Sequence, residues 1–394
     1  MQAHTKLVTT PEEASALAQI LSSHSMIALD TEFIRETTFF PIVALIQVAT
    51  ETESWLIDPL AFGEGELKPV LDVFTNPKIV KILHAAQADQ ECLYTNYGVV
   101  ASPSFDTAAG ASLCGLGDSI GLSKLVKEML GVQLQKGHAR TDWTARPMPE
   151  QLMKYAHLDV QYLIELATKL MSQLDKQGRK EWAFELSARY EDTRAYEPNA
   201  EGLTRKLSKS GKLDRRGLAT LKELVAWREK RVRELDVPRR RVADDDTLVA
   251  LASTRPKDLN HLAAFRGLNR GELKASGEAI LAAVRRGMQV PDADLPDVLR
   301  PDIASDSEAR AVELIQCFVK IRAEDLQISP RHLMTGDDVL PILRHRINSI
   351  DQLVSEGILT AGAAKLIGEE LLAMVHGRRS LSVQGGRVVV LSTT

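Results

Sequence analysis

Residues 26–33, MIALDTEF, decide the fold, because an apolar run ends there on two acidic side chains. The run from Met26 to Leu29 predicts a β-strand, and alternate residues of a strand point to the same side of a sheet. Asp30 and Glu32 therefore share one face, about 7 Å apart along the strand. An ionised carboxylate beside apolar residues is unfavourable without a compensating charge, so this stretch predicts a cation site.

Two later segments add further acidic residues in apolar surroundings. Asp89 lies in KILHAAQADQECL (81–93), and Tyr155 and Asp159 lie four residues apart in YAHLDV. Positions four apart share a helix face, which brings the Tyr155 hydroxyl near the Asp159 carboxylate. No Lys or Arg lies directly beside these acids, and oxygen ligands suit Mg²⁺ or Mn²⁺ better than zinc. Two such ions about 4 Å apart activate water and stabilise the leaving oxygen in phosphodiester cleavage.

The motifs DTEF, HAAQAD and YAHLD, in this order, resemble the three exonuclease motifs of the DEDD superfamily in its tyrosine-bearing branch. The segment ARTDWTARPMPEQLMKYAHLDV (139–160) resembles ribonuclease D, in which a DW-x-x-RP stretch leads into the third motif. The resemblance covers residues 5–190 and implies an α/β ribonuclease H-like exonuclease domain with a mixed sheet flanked by helices. The catalytic set that it implies is Asp30, Glu32, Asp89, Tyr155 and Asp159.

In this reading the four carboxylates hold two divalent ions, Mg²⁺ or Mn²⁺, and Tyr155 orients or deprotonates the attacking water. The expected reaction is 3′–5′ hydrolysis of RNA with release of nucleoside 5′-monophosphates, and the expected partners are transfer RNA precursors with 3′ extensions. Two alternatives stay open. One is a 3′–5′ exonuclease acting on DNA, because the sequence does not reveal a contact to the ribose 2′-hydroxyl. The other is a noncatalytic RNA-binding scaffold, which the intact acidic set disfavours.

Residues around the motifs supply weaker candidates. Phe33 either stacks on the terminal base or packs in the core. The resemblance places Trp143 in a stretch that borders the site, and helix packing explains it equally well. His84 is interpreted as a structural residue or a substrate contact, and Asp106 as a helix cap. The predicted substrate contacts are Phe33, His84, Trp143 and Arg146, with His138 bordering the same stretch.

The pattern along the chain predicts an exonuclease domain over residues 1–197. Apolar runs predict strands, the first of which form a hairpin-like sheet, and period-3.6 segments predict helices. The predicted strands cover residues 26–30, 44–49, 54–57 and 79–84. The predicted helices cover residues 11–22, 87–97, 122–130 and 149–169.

The remainder of the chain is helical in period. Two weakly similar segments, residues 213–289 and 302–379, resemble the HRDC domain, a small all-α bundle found in ribonuclease D and in certain helicases. Residues 380–394, with a Gly-Gly turn, predict a β-hairpin tail. The stretch 201–241 has fourteen Lys and Arg against six Asp and Glu, which indicates either a solvated face or a surface that follows RNA phosphates.

Composition sets broader limits. The 394 residues carry a net charge of −4 and include 44% hydrophobic residues, which is typical of a globular cytoplasmic protein and disfavours a nonspecific polyanion binder. Three scattered cysteines fit neither a disulfide framework nor a zinc motif and predict a reducing compartment. No leader or membrane span is expected, and no stable protein partner is implied.

Overall fold

The computed structural model describes residues 6–134, 141–197, 199–208, 213–265, 267–268, 270–297, 304–345 and 347–392. The chain divides into two compact units. The first consists of Met1–Phe33, Val43–Thr193 and Ala304–Thr394, and the second of Ile34–Ile42 and Arg194–Ile303. Within the described ranges, no helix is both long enough and apolar enough to cross a membrane.

A six-stranded mixed sheet, ordered β1-β4-β3-β2-β5-β6, forms the centre of the N-terminal part of the first unit. Strand β1 runs parallel to β4, β3 and β4 form the predicted antiparallel hairpin, and β5 runs parallel to both β2 and β6. The predicted mixed α/β architecture is therefore confirmed. The strands are Lys6–Val8 (β1), Met26–Ile34 (β2), Ile42–Ala49 (β3), Ser54–Ile57 (β4), Val80–Leu83 (β5) and Ser104–Asp106 (β6).

The described residues of this part of the first unit form eight α-helices. The first begins at a Thr10 capping box followed by Pro11, as its sequence predicts. The eight are Pro11–Ser22 (α1), Lys68–Phe74 (α2), Gln87–Tyr97 (α3), Thr107–Leu113 (α4), Leu122–Leu130 (α5), Glu150–Gln161 (α6), Leu163–Lys176 (α7) and Lys180–Ala188 (α8).

The prediction of one helix over residues 149–169 is wrong, because the chain breaks at Tyr162 between α6 and α7. Apolar residues continue across the break, so periodicity alone carries no sign of it. Leu152 of α6 packs near Leu45 and Leu56, whereas Val160 near the end of α6 joins the larger cluster that contains Leu170 of α7.

The alternation of β2 positions the candidate site. Ile27 and Leu29 face one core together with helices α1 to α3, whereas Ala28 faces the core that contains Val160 and Leu163. Asp30 and Glu32 have the parity of Ala28 and so continue the face covered by α6 and α7. The two acidic residues therefore lie near the end of the strand, directly after its buried apolar part.

The second unit is helical apart from its short connecting segment. Its long helices α10 and α14 pack together around a core that includes Leu221, Leu224 and Ile280. Its helices are Ala200–Ser208 (α9), Arg215–Leu235 (α10), Arg239–Val242 (α11), Asp245–Thr254 (α12), Leu259–Ala263 (α13) and Arg270–Gln289 (α14).

The C-terminal helices belong to the same compact unit as the sheet. Glu185 of α8 accepts hydrogen bonds from the backbone N–H groups of Ala361 and Gly362 at 2.8 and 2.9 Å, and Gly362 lies so close to Trp182 that a Cβ would clash. The elements are Asp306–Asp325 (α15), Pro330–Leu333 (α16), Val339–Arg344 (α17), Ile350–Ser355 (α18), Ala361–Val375 (α19), and the predicted hairpin Arg379–Gln384 (β7) and Arg387–Ser392 (β8).

Candidate active site

Three of the predicted ligands converge at the end of β2. One carboxylate oxygen from each of Asp30, Glu32 and Asp159 lies within 4.8 Å of the other two. The first two come from alternate positions of one strand, and the third from the helix α6 that covers that face. Residues separated by more than 120 positions therefore form one oxygen-rich pocket, which is the geometry that a hard divalent cation requires.

Asp89 joins this group from the first turn of α3, where it is buried. Its Oδ1 accepts hydrogen bonds from the Thr31 backbone N–H at 3.0 Å and from the Thr31 hydroxyl at 2.6 Å. Thr31 lies between the two acidic residues of β2, so this pair of bonds fixes α3 against the strand at the site. The role of Thr31 is not visible in the sequence, since its partner is 58 residues away.

Burial and mutual repulsion raise the pKa values of these four acids. The pKa of Glu32 rises to about 8 through burial and the charges of Asp159 and Asp89. Burial raises the pKa of Asp89 and of Asp159 to about 7 each, and it raises that of Asp30 well above its usual range, with the other three acids adding repulsion. Among the described residues, no Lys or Arg forms an ion pair with any of the four, so the negative charge lacks a cation from the protein.

Tyr155 lies one helical turn before Asp159, as the spacing predicts. Its hydroxyl hydrogen-bonds the Asp159 carboxylate, and its pKa is raised first by burial and then by Asp159, Glu32 and Asp30. The Trp143 ring lies 6.1 Å from the Tyr155 ring, centroid to centroid, and is itself buried. Trp143 therefore packs behind the tyrosine, which favours the core-packing interpretation over a substrate contact.

Arg146 is held entirely by protein acceptors. Its Nε and one terminal nitrogen form a bidentate pair with Asp58, both at 2.6 Å. The terminal nitrogens also donate to the backbone oxygens of Ala44, Trp143 and Ala145 at 2.7, 2.8 and 3.0 Å. The role of Arg146 as a substrate contact stays a prediction. Because its guanidinium is engaged by the protein, we favour a structural role in which Arg146 joins the segment before α6 to the sheet.

Asp106 caps α4, as predicted, and also holds the loop that leads into α3. Its oxygens accept from the backbone N–H groups of Ala85, Ala86 and Ala108 at 2.9, 3.1 and 2.8 Å. Ala85 has a φ of 59°, a left-handed conformation that a non-glycine residue adopts only when held. His84 Nδ1 lies 2.9 Å from the Thr107 hydroxyl, which accounts for His84 within the fold.

An open cleft of about 550 Å³ adjoins the acids. It is lined by Tyr155 and Asp159 on one side and by Lys124 and Lys127 of α5 on the other. Neither lysine belongs to a recognisable motif. The one signal in the sequence is that the two lie three residues apart on an amphipathic helix. Phe33 is half-buried against the core of α1 to α3, and His138 lies outside the described residues.

Several arginines of the basic stretch 201–241 form ion pairs with acidic residues of their own unit. Arg228 is fully buried and pairs with Glu229 and Asp245 at 3.2 and 2.7 Å. Arg231 pairs with Glu272 at 2.9 Å, and other arginines of the stretch bind further acidic residues. These ion pairs join parts of the helical bundle. They favour neither the interpretation of the stretch as a solvated face nor that of a surface that follows RNA phosphates.

Two family models match this chain. The profile of a family described as 3′-5′ exonuclease matches residues 5–175, and that of the HRDC domain matches residues 217–284. The ribonuclease D of Bartonella henselae is 32% identical over 385 residues, with 97% of this chain and 93% of that protein covered. The ribonuclease D of Sphingobium indicum is 33% identical over 400 residues, with both chains covered completely.

Solved structures show the same likeness. The crystal structure of Escherichia coli RNase D, described as an exoribonuclease involved in structured RNA processing, superposes with a TM-score of 0.83 at 28% identity. The match covers 95% of this chain and 99% of that one. A protein from Bifidobacterium adolescentis shares the fold, with a TM-score of 0.67 at 20% identity.

Proposed function

The chain belongs to the ribonuclease D family of 3′–5′ exoribonucleases, and we propose that Asp30, Glu32, Asp89 and Asp159 form its hydrolytic centre. The observation that carries this proposal is the convergence of acidic side chains from β2, α3 and α6 on one pocket. Such a cluster is unfavourable by itself, as the raised pKa values of its members indicate. Clusters of ionisable groups with strongly shifted pKa values are typical of functional sites.

The donor set fits two divalent cations of the Mg²⁺ or Mn²⁺ type. All four side chains offer carboxylate oxygens, and no described cation of the protein pairs with them. Asp30, Glu32 and Asp159 would hold the ions directly, with Asp89 completing the set from α3. Bound there, the cations would supply a lowered pKa for the attacking water and charge neutralisation at the departing 3′ oxygen.

The protein's own residues then orient the reaction. The Tyr155 hydroxyl, kept protonated by its raised pKa and tied to Asp159, lies beside the acids, where it positions the attacking water by a hydrogen bond. Trp143 packs against this ring and restricts its movement. Attack on the last phosphodiester breaks the bond to the 3′ oxygen of the remaining chain and releases a nucleoside 5′-monophosphate.

The substrates proposed are transfer RNA precursors with short 3′ extensions. Support comes from the open cleft beside the acids, where Lys124 and Lys127 would bind phosphates of a single-stranded end. A reducing, cytoplasmic location is proposed on the free cysteines Cys92, Cys114 and Cys317.

The test is turnover of a 5′-labelled transfer RNA with a 3′ extension, in Mg²⁺, Mn²⁺ or EDTA. The expected result is a metal-dependent ladder that shortens from the 3′ end, abolished in Asp30→Asn. In Tyr155→Phe we expect kcat to fall about 10²-fold, with KM within a few-fold of wild type, because general positioning of the nucleophile is lost. Glu64→Gln, at an exposed glutamate, is the matched control.

Two results would contradict the proposal. Asp30→Asn that keeps more than a few per cent of the wild-type rate would remove the ligand assignment. A matched DNA oligonucleotide degraded as fast as the RNA would instead overturn the choice of substrate.

A further inference from the structure

A second cavity lies next to the catalytic cleft. It also has a volume of about 550 Å³, and Gly121 and Leu122 line both cavities. Its other walls come from the loop at His84, the end of α8 at Arg189, and α16 at Arg331. This volume falls in the range of nucleotide-sized ligand sites, and the function proposed above leaves the cavity without a role.

Two arginines approach this space from different parts of the first unit. Arg189 is exposed and forms no ion pair with any described residue. Arg331 is half-exposed; its Nε lies 3.5 Å from the Asp118 carboxylate, and its Nη2 donates to the Asp118 backbone oxygen, so only part of its guanidinium is engaged. Burial lowers the pKa of His332, and the charges of Arg331 and Arg189 lower it further against the opposing charge of Asp118, so both arginines act on the same region.

The two acidic residues of the cavity, Asp106 and Asp118, both have partners within the protein, and neither forms an ion pair with Arg189. The Asp106 carboxylate accepts hydrogen bonds from backbone N–H groups, as described above. The Asp118 carboxylate pairs with Arg331 and lies 3.3 Å from the Ser112 hydroxyl. In addition, α5 begins at the wall that the two cavities share, and no side chain caps its first turn. The positive end of this helix adds to the potential of the two arginines.

A guanidinium pair in a groove of this size suits a phosphodiester, which accepts hydrogen bonds from planar forks. At a 3′–5′ exonuclease site the RNA ends at the acidic cluster, so the strand that continues from it is the 5′ portion. We propose that the Arg189–Arg331 cavity binds a backbone phosphate of single-stranded RNA on the 5′ side of the scissile bond.

This subsite rests on the exoribonuclease function proposed above and extends it to the C-terminal helices. Arg331 belongs to α16, while Arg189 follows α8 of the exonuclease fold. The close packing of Gly362 on Trp182 and the Glu185 hydrogen bonds keep these elements in register. The C-terminal bundle thereby contributes a substrate-binding residue and does more than stabilise the fold.

The test compares RNA lengths in the full chain. Arg189→Gln/Arg331→Gln is assayed on a dinucleotide and on an eight-nucleotide RNA, and binding of the longer RNA is measured by fluorescence anisotropy in EDTA. We expect the ratio of kcat/KM, eight-mer over dinucleotide, to fall at least tenfold through KM, and Kd to rise at least tenfold. The slope of log K against log salt should decrease in magnitude by roughly 0.7 for each lost phosphate contact.

Asp118→Asn is the structural control, because it removes the same Arg331 ion pair but keeps both cations. It should leave the length ratio at or above the wild-type value. An unchanged Kd in the double variant would overturn the subsite, and so would an equal loss in Asp118→Asn, which would mark a packing effect. Absence of wild-type turnover on either RNA would overturn the proposed function instead, since the anisotropy measurement needs no catalysis.

Discussion

Replacing Glu32 by Gln should make the metal-free protein more stable while destroying its activity. Glu32 carries a pKa raised from 4.5 to about 8, so its ionised form is disfavoured in the folded state. At about 1.4 kcal/mol per pKa unit, this difference sets an upper limit of about 5 kcal/mol. Part of it is repulsion shared with the neighbouring acids and part is relieved by solvent, so we expect a gain of about 2 kcal/mol, roughly 2–3 °C in Tm.

The pH dependence follows from the sign of the shift. Because the folded-state pKa is the higher one, the folded protein keeps a proton that the unfolded chain releases, and stability falls as pH rises from about 4.5 to about 8. The destabilisation is complete above that window and absent below it. The Tm advantage of Glu32→Gln should therefore be full at pH 8.5 and small at pH 5.

The assay is thermal unfolding in EDTA and in 10-fold steps of Mg²⁺, followed by circular dichroism. Wild type should gain Tm with Mg²⁺, since a ligand that binds only the folded state stabilises it, and Glu32→Gln should gain much less. Glu64→Gln should behave as wild type throughout. A Glu32→Gln protein with lower Tm in EDTA at pH 8.5, or with an undiminished Mg²⁺ response, would refute the reasoning.

Three further substitutions test the supports of the site. Asp106→Ala leaves buried N–H groups without an acceptor and should cost about 2–4 kcal/mol in urea unfolding, with a fall in kcat because the loop before Asp89 loosens; an unchanged kcat would refute the positioning role. Arg146→Lys cannot reproduce the bidentate pair with Asp58 and should destabilise by about 2 kcal/mol, with KM for RNA nearly unchanged; a large rise in KM would restore it as a substrate contact. Gly362→Ala should lower stability by about 1–3 kcal/mol through overpacking on the indole, measured by Tm, and equal Tm values would contradict the packing.

Local patterns in the sequence determined the elements and the main chemistry. Strand alternation placed Asp30 and Glu32 on one face, and the helical repeat placed Tyr155 beside Asp159, because both relations involve residues at most four apart. The β3–β4 hairpin followed from apolar runs and the C-terminal hairpin from its Gly-Gly turn, whereas the mixed sheet was implied by the family resemblance. Apart from the mixed sheet, these features depend on backbone geometry that neighbouring residues share, so one sequence suffices to predict them.

Tertiary structure decided how the remaining candidates are used. Arg146 reaches Asp58 across 88 positions, and Thr31 binds Asp89 across 58, so no local pattern distinguishes these residues from substrate contacts or from ordinary surface residues. The break between α6 and α7 likewise has no signal in the apolar periodicity, which continues across Tyr162. Packing free energy depends on which distant surfaces meet, and that is settled only when the chain has folded.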